Sequence, residues 1–193
     1  MAKTRSVMVR LAGANALSAI ASPVRMEIIG TLQTHGPGSI RELATHLARP
    51  ADGLYHHVRL LRRAGVLREE SHRKVGRREE AVYALTTPRI AGTLDPASPA
   101  SKEGVIRAAS AALRLAAREF ASAIEAGEGL TVGACPSIRA SRQRVWLTPE
   151  GLERLRRHLA RLERFLSAQT KKRQGRLFAV TTVVVPLVKK RRV

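Results

Sequence analysis

The sequence predicts an α+β fold that is mainly helical, and three features of its 193 residues indicate this. Apolar residues recur every three or four positions over most of residues 14–64 and over two long stretches of the second half, which is the period of an amphipathic helix. Two short strand-like segments flank a polar turn at residues 71–78, which predicts a β-hairpin. Hydrophobic residues make up 44% of the chain, enough to bury a core, so a wholly disordered basic protein is excluded.

The charge of the chain predicts an anionic partner. Its 35 Lys and Arg residues against 15 Asp and Glu residues give a formal net charge of +20. Nucleic acid is the first candidate and an acidic membrane surface the second. Residues 139–188 hold 12 basic and 3 acidic residues, a net charge of +9, and residues 189–193 add +4, whereas residues 14–87 carry only +4. The excess is therefore concentrated in the last third of the chain.

Other features of the composition exclude several classes of protein. The single cysteine, Cys135, excludes a disulfide framework and a zinc site built from several thiolates. Aromatic residues make up 3%, too few for single-strand binding on many stacking platforms. No apolar run approaches the roughly 20 residues of a membrane span, and residues 1–10 do not resemble a signal peptide. We therefore expect a soluble, cytoplasmic, nucleoid-associated protein with no membrane partner.

No arrangement of residues that would indicate catalysis is recognisable. The six histidines are scattered, and neither a nucleophile–base set nor a glycine-rich phosphate loop nor paired carboxylates can be found. The sequence thus predicts no enzyme activity, no cofactor and no metal site. Cys135 is expected to be a passive thiol, with a redox or ligand role as the alternative.

Residues 14–34 have a helical period that is interrupted once. Ser22 suits an N-cap and Pro23 suits the first position of a helix, so two helices are expected rather than one. The second should end at residues 35–38, where two glycines flank a proline. Residues 39–40 suit either a very short strand or the start of the next helix.

Two short helices follow, joined by a tight turn. Residues 40–47 carry one apolar stripe over two turns, residues 48–51 form the turn, and residues 52–64 predict a second helix with Asp52 as its capping residue. The outer face of this second helix is basic. Its buried face is expected to carry Leu54, Val58 and Leu61.

A β-hairpin is predicted directly after this helix. Residues 66–70 and 81–85 read as its strands, and the connection between them is cationic and contains glycine. The two helices alone are not specific, because any helical hairpin with a solvated basic face has the same pattern. The β-hairpin that follows them favours a winged helix-turn-helix. The recognition helix is then 52–64 and the wing 68–82, within a DNA-binding domain of residues 14–92.

The run from residue 17 to residue 85 resembles the ArsR-type winged helix-turn-helix regulators. The matching pieces are LSAIASPVRMEIIGTL, SIRELATHL, DGLYHHVRLLRRAGVL and GRREEAVYAL. The resemblance implies a dimeric transcriptional regulator that pairs through helices flanking the DNA-binding head. The metal-sensing members carry a cysteine pair in or near the first of the two short helices, whereas residues 41–45 read RELAT here. The thiolates that a soft-metal sensor needs are therefore missing.

The predicted DNA contacts lie on the recognition helix, the turn before it and the wing. Arg59 is expected to contact a guanine edge or a phosphate. Arg41 and Arg49 are left open between phosphate contact and plain solvation, His57 is expected to be structural, and Gly53 would allow close approach to the DNA backbone. The complete set is Arg41, Arg49, Gly53, Tyr55, His56, Arg59, Arg62, Arg73, Lys74, Arg77 and Arg78.

The second half predicts a smaller α+β domain that dimerises or senses a ligand. Residues 93–101 read as a linker, residues 102–126 as a long helix capped by Ser101, and residues 143–147 as a strand. The apolar residues 177–188 are expected to pair with that strand and close the domain 102–188.

Another long helix is expected after Thr148, with Pro149 at its first position. Its leucine stripe, and the stripe of helix 102–126, either pack on each other within one subunit or pair across a two-fold axis. The residues predicted to dimerise are Ile106, Leu113, Phe120, Leu155, Leu159 and Leu162. Residues 1–13 and 189–193 are expected to be a basic N-terminal segment and a basic tail.

Together these features predict a homodimeric, sequence-specific transcriptional regulator, acting as a repressor and reading an inverted repeat. Its expected partners are double-stranded DNA, a second copy of itself and an unknown small-molecule effector. The alternative is a nucleoid-associated or architectural protein that binds nucleic acid mainly by charge, as the basic last third of the chain would allow.

Overall fold

The computed structural model describes residues 9–11, 14–76, 78–87, 90–92, 95–128 and 138–187. These residues form a mixed α+β fold that is mainly helical, as the sequence predicts. The elements in chain order are β1 (Val9–Leu11), α1 (Ala14–Ile20), α2 (Pro23–His35), β2 (Gly38–Ser39), α3 (Ile40–Leu47), α4 (Asp52–Arg63), β3 (Leu67–Val75), β4 (Arg78–Leu85), β5 (Ile90–Gly92), α5 (Pro99–Glu125) and α6 (Pro149–Lys172).

Helix α2 begins and ends where the sequence predicts. Ser22 occupies the N-cap in an extended conformation, and Pro23 takes the first helical position, where its missing N–H is not needed. At the other end, Gly36 has a φ of 88°, which a residue with a Cβ adopts only with strain. Its N–H donates to the carbonyl of Leu32 over 3.1 Å, which satisfies one of the free carbonyls of the last turn.

Ser39 is both part of a very short strand and the residue that starts the next helix. It belongs to strand β2, which pairs antiparallel with β4 through Gly38 opposite Tyr83 and Ser39 opposite Val82. It also begins α3, because its Oγ accepts from the N–H of Glu42 over 3.3 Å while its own N–H donates to Glu42 Oε2 over 2.8 Å. This reciprocal capping box fixes the start of α3 directly at the edge of the sheet.

Two expected helix caps are wrong. Asp52 is the first residue inside α4, and the N-cap position falls on Ala51, which already has helical angles and makes no side-chain cap bond. Asp52 therefore acts as an acidic residue of the first turn, where the helix dipole favours it. Helix α5 is capped by Ser98, whose Oγ accepts from the N–H of Ser101 over 3.2 Å. Ser101 itself is buried and its hydroxyl accepts from the N–H of Asp95.

The core lies between α2, α3, α4 and the sheet. The predicted inner face of α4 is confirmed, since Leu54, Val58 and Leu61 are all at most 2% exposed. Their burial turns the opposite face of α4 toward solvent. The other core residues include Ile28, Ile29, Leu32, Ile40, Leu43, Val66, Leu67 and Tyr83.

The predicted hairpin is present as β3 and β4, which pair antiparallel in a three-stranded sheet with the order β2-β4-β3. Leu67 lies opposite Leu85, and Val75 lies opposite Arg78 at the far end. The register shifts between Glu69 and Ser71, where a bulge increases the local twist. Strands β1 and β5 form a separate parallel pair that the sequence did not predict, because three residues each are too few to show a period.

Helix α5 packs against α1 and α2 through small residues. Gly104, Ala108 and Ala111 are buried on its inner face, and Gly104 lies directly against the side chain of Leu17. The apolar stripe predicted for this helix faces solvent instead. The three large side chains of this stripe are exposed: Ile106 to 64%, Leu113 to 49% and Phe120 to 41%.

The close approach at Gly104 yields a prediction about stability. A Cβ at this position would lie 2.9 Å from the Cβ of Leu17, so Gly104→Ala should destabilise the fold, although alanine is the better helix former. Gly30 in α2 is the matched control, because a Cβ there meets nothing within 4 Å. Gly30→Ala should raise the free energy of unfolding by up to about 1 kcal/mol. Urea unfolding of both variants measures the difference, and equal stabilisation by both would contradict the packing of α5 on α1.

The strands expected in the second half are absent from the part of it that the structure describes. Residues 138–148 and residues 173–187 form neither helix nor strand, and residue 188 lies outside the described ranges. They do not pair with each other, and the 24 residues of α6 connect them. Helix α6 begins as predicted, with the Thr148 hydroxyl accepting from the N–H of Gly151 over 3.1 Å, and none of its residues is buried.

Candidate nucleic-acid interface

The outer face of α4 is the centre of the candidate site. The burial of Leu54, Val58 and Leu61 fixes the rotation of this helix about its axis and directs Tyr55, His56, Arg59 and Arg63 to solvent. Tyr55 is 53% exposed. Within the described residues, Arg59 and Arg63 make no ion pair, so their guanidinium groups are available to an anion.

Arg62 differs from its neighbours because it is held by the wing. Its Nη1 lies 3.0 Å from Glu69 Oε2 on β3, and its guanidinium carbon lies 5.7 Å from the centre of the Tyr83 ring. These contacts join the C-terminal half of α4 to the sheet. Arg62 therefore links α4 to the sheet in this structure, and its contact with DNA stays a prediction.

Two further predicted contact residues pair between α3 and the wing. Arg41 Nε lies 3.3 Å from Glu80 Oε1, and Arg73 Nη2 lies 2.8 Å from Glu42 Oε1. The hydrogen bond that Arg73 donates to Glu42 raises the pKa of Arg73, which stays charged. Such exposed pairs contribute little free energy, about 0–1 kcal/mol each, so a DNA phosphate can compete for either arginine.

Arg49 belongs to an ion-pair network centred on the half-buried Glu27. Its Nη2 lies 2.9 Å from Glu27 Oε2, and Arg118 of α5 reaches the other oxygen of Glu27 over 3.3 Å. Glu27 thus connects α2 to the turn before α4 and to α5. Arg49 was expected either to contact phosphate or to be simply solvated. The structure shows a third arrangement, in which Arg49 forms an ion pair that connects elements of the fold.

The remaining predicted residues lie at the tip of the wing and the start of α4. Lys74 is exposed near the end of β3, Arg77 lies outside the described residues, and Arg78 is placed only as the first residue of β4. Gly53 is exposed, and a Cβ there would meet nothing within 4 Å. The fold itself does not require glycine at this position, so its role in approaching DNA stays a prediction.

His57 lies on the inner side of α4, next to the outward-facing His56. Its Nδ1 is buried and has no hydrogen-bond partner among the described residues. Burial lowers the pKa of His57, and the electrostatic effects of Arg25, His56 and Arg49 lower it further. The imidazole is therefore neutral at pH 7, in keeping with its expected structural role.

A small cavity of about 110 Å³ lies between the end of α2 and α3. The stacked rings of His35 and His46, with centroids 4.0 Å apart, contribute to its wall. Burial lowers the pKa of His35, and His46 and Arg173 lower it further. The cavity is smaller than the roughly 300–1,000 Å³ of ordinary ligand pockets, so it gives no support to an effector site. In the described ranges, no three His, Cys, Asp or Glu side chains come together as metal ligands.

The four acidic partners of these arginines were missed by sequence reasoning. Three of the four stand far from their arginines along the chain, and Glu42 and Arg73, for example, are 31 positions apart. Charge counting gives no signal for such pairs, because every carboxylate on a surface looks equally solvated. The partners are Glu27, Glu42, Glu69 and Glu80.

The capping box yields a prediction about pH. The backbone N–H of Ser39 and then the Arg73 side chain lower the pKa of Glu42, against the opposing effect of burial. A carboxylate with a lowered folded-state pKa stabilises the fold above its ordinary value of about 4.3 and loses that contribution as the pH falls through the lowered value. Glu42→Gln should therefore lose less stability than the wild type between about pH 7 and about pH 3.

Urea unfolding across that range measures the effect of Glu42→Gln. Glu125→Gln is the matched control, because Glu125 is an exposed carboxylate near the end of α5 and should leave the pH profile unchanged. A profile of Glu42→Gln that coincides with the wild type would contradict the role of this carboxylate.

Comparison with protein families agrees with this geometry. Residues 20–70 match a family described as a helix-turn-helix domain. The matched range contains α2, α3 and α4 and ends within β3, so it includes the outward face of α4. The chain therefore contains a helix-turn-helix domain of the DNA-binding class, a class that is typically non-enzymatic. No curated protein matches the chain. None of the helices among the described residues has the length and hydrophobicity needed to cross a membrane.

Proposed function

We propose that this protein is a homodimeric, sequence-specific transcriptional regulator of the ArsR-like kind, which acts in the cytoplasm as a repressor at an inverted repeat. Helix α4 enters the major groove, and the wing of β3 and β4 lies along the adjacent phosphate backbone. Occupation of the repeat by the dimer blocks transcription.

The observation that carries this proposal is the outward face of α4. It presents Tyr55, His56, Arg59 and Arg63 on a helix whose other face is locked into the core. An unpaired arginine in this position can form the bidentate contact that distinguishes guanine from other bases. The net charge of +4 for residues 14–87 is modest, so the position of these groups matters more than their number.

Dimerisation is supported by the exposed apolar stripe of α5. A regulator of this shape reads two half-sites about one DNA turn apart, which requires a two-fold pair. Ile106, Leu113 and Phe120 leave a row of large apolar side chains in solvent, and α6 adds Leu162 at 39% exposed. Leu155 and Leu159 of α6 are half-buried. A second copy would cover such a surface.

Selection of binding sites from random double-stranded DNA at two salt concentrations tests the proposal. We expect one enriched inverted repeat, with half-sites about 10 base pairs apart, at both concentrations. Enrichment of no sequence would overturn sequence-specific regulation. A reporter gene placed behind the selected repeat then tests the direction of control, since a repressor lowers its expression.

The second candidate is an architectural protein that binds nucleic acid by charge. It is favoured by α6, on which the exposed residues include Arg154, Arg156, Arg157, Arg161 and Arg164. This candidate predicts weak sequence discrimination and a salt dependence dominated by residues 139–193. Neutralising three of these arginines should then weaken all DNA binding equally, whereas a regulator should keep its preference for the selected repeat.

A further inference from the structure

The segment that follows α6 is apolar and uncovered. Residues 177–188 contain no charged side chain, although the chain as a whole has a net charge of +20. Residues 177–187 are exposed and form neither helix nor strand, although such an apolar run is normally found inside a sheet with both faces covered. The side chains at least 50% exposed are Leu177, Phe178, Val180, Val183, Val184, Val185 and Leu187.

A second uncovered segment precedes α6. Val145 is 62% exposed, Trp146 is 100% exposed and Leu147 is 46% exposed. Residues 143 and 144 are polar and residues 145–147 are apolar, and the five residues form no strand. Two strand-like segments of one chain thus present backbone groups and apolar side chains that find no partner among the described residues.

Helix α6 holds these segments at opposite ends. Leu147 packs close to Gly151 in the first turn of α6, whereas Arg176, just past its last turn, pairs with Glu128 over 2.5 Å. The length of α6, about 36 Å, therefore separates the start of one segment from the end of the other. In two antiparallel copies of α6, however, the first turn of one helix lies beside the last turn of the other. This arrangement brings residues 143–147 of one copy next to residues 177–183 of its partner.

We propose that a second copy of this chain covers these segments by reciprocal strand exchange: residues 143–147 of each protomer pair with residues 177–183 of the other, across an antiparallel pair of α6 helices. The inference deepens the proposed function, since it rests on the homodimer and names an interface for it. A two-fold pair makes each contact twice, so one segment pairing gives two identical two-stranded ribbons. The exposed side chains of α6 pack beneath them.

The available apolar surface fits a stable dimer. Trp146 alone offers on the order of 200 Å², and the two segments with the exposed Leu152, Leu162 and Phe165 of α6 offer on the order of 1,000 Å² per copy, above the about 800 Å² per partner of a standard interface. The arginines of α6 repel a second copy, but residues 177–187 carry no charge and permit close approach.

Disulfide cross-linking between two different chains tests the exchange directly. One chain carries Val145→Cys, the other carries a single cysteine at one position from 178 to 183, and both carry Cys135→Ser. The two chains are tagged differently, refolded together and oxidised. We expect a cross-linked heterodimer whose yield alternates with a period of two along residues 178–183, because side chains of a strand alternate between its faces. Ala168→Cys, exposed on α6, is the control partner and should give little product.

Sedimentation of the full chain supplies the second measurement. Val184→Asp places a charge directly beside the paired residues 177–183 and should raise the dimer dissociation constant at least tenfold, whereas Ala168→Asp should leave it unchanged. Circular dichroism of each variant reports whether it has folded. A wild-type dimer that shows no cross-link and resists Val184→Asp would overturn the exchange while leaving the proposed regulator intact. A monomer at every concentration would overturn both the exchange and the homodimer.

A membrane surface is the competing occupant, because an apolar segment next to basic residues can also bind anionic lipid. Vesicles containing phosphatidylserine distinguish the two. The proposal would be overturned if the chain gave no cross-link, bound these vesicles as a monomer and lost this binding in Val184→Asp. No binding by the cross-linked dimer is the result we expect.

Discussion

Replacing Arg59 with alanine should weaken binding to the selected DNA repeat by about 5- to 150-fold, the equivalent of about 1–3 kcal/mol for one bidentate base contact. Arg59 is exposed on the outer face of α4 and makes no ion pair within the described residues, so its loss leaves no carboxylate unpaired. The variant should fold like the wild type. It should also lose discrimination at one base pair, which a contact to phosphate alone would not produce.

Binding curves on the selected repeat and on single base-pair variants of it measure both effects. Arg114→Ala is the matched control, since it removes the same charge from an exposed position on α5, outside the helix-turn-helix. Equal losses for the two variants would mean that the chain binds by charge, and an unchanged base preference in Arg59→Ala would remove Arg59 from the base-reading set.

Replacing Leu61 with alanine should lower the free energy of unfolding by about 2–5 kcal/mol, because it opens a cavity in the centre of the core. Leu61 is 0% exposed and packs where α4 meets the sheet and α2. The same contacts set the rotation of α4, so the variant should also bind DNA less tightly even at temperatures at which it stays folded.

Urea unfolding measures the loss in Leu61→Ala. Tyr55→Ala on the same helix is the control, because Tyr55 is 53% exposed and its truncation should change stability by less than about 1 kcal/mol. If the two variants unfolded alike, the assignment of inner and outer faces to α4 would be wrong.

Most of the secondary structure of residues 14–92 could be predicted from the sequence, because the patterns that indicate it are local. The apolar period of α4 predicts Leu54, Val58 and Leu61 as the buried face, and Ser22 with Pro23 predicts the break between α1 and α2. Helix periods and stop signals depend on residues within a few positions of each other, so tertiary contacts seldom override them.

The second half was harder to predict for a physical reason. Residues 177–187 have the composition of a strand, but a strand forms only where a partner supplies the other half of its hydrogen bonds. Within the described residues, neither strand-like segment has such a partner. Composition cannot report whether a partner is in place, and it cannot tell which of two apolar faces of α5 meets α1.

Some properties of this protein follow from its sequence, and others depend on its fold in space. The sequence alone predicts the order of the helices, the hairpin and a basic outer face on α4, and it contains the net charge of +20. Which of the predicted contact arginines are free depends on the fold in space. Glu27, Glu42, Glu69 and Glu80 pair with Arg49, Arg73, Arg62 and Arg41, while Arg59 makes no ion pair within the described residues. Ion pairs depend on distances in space, and a count of charges along the chain contains no such distances.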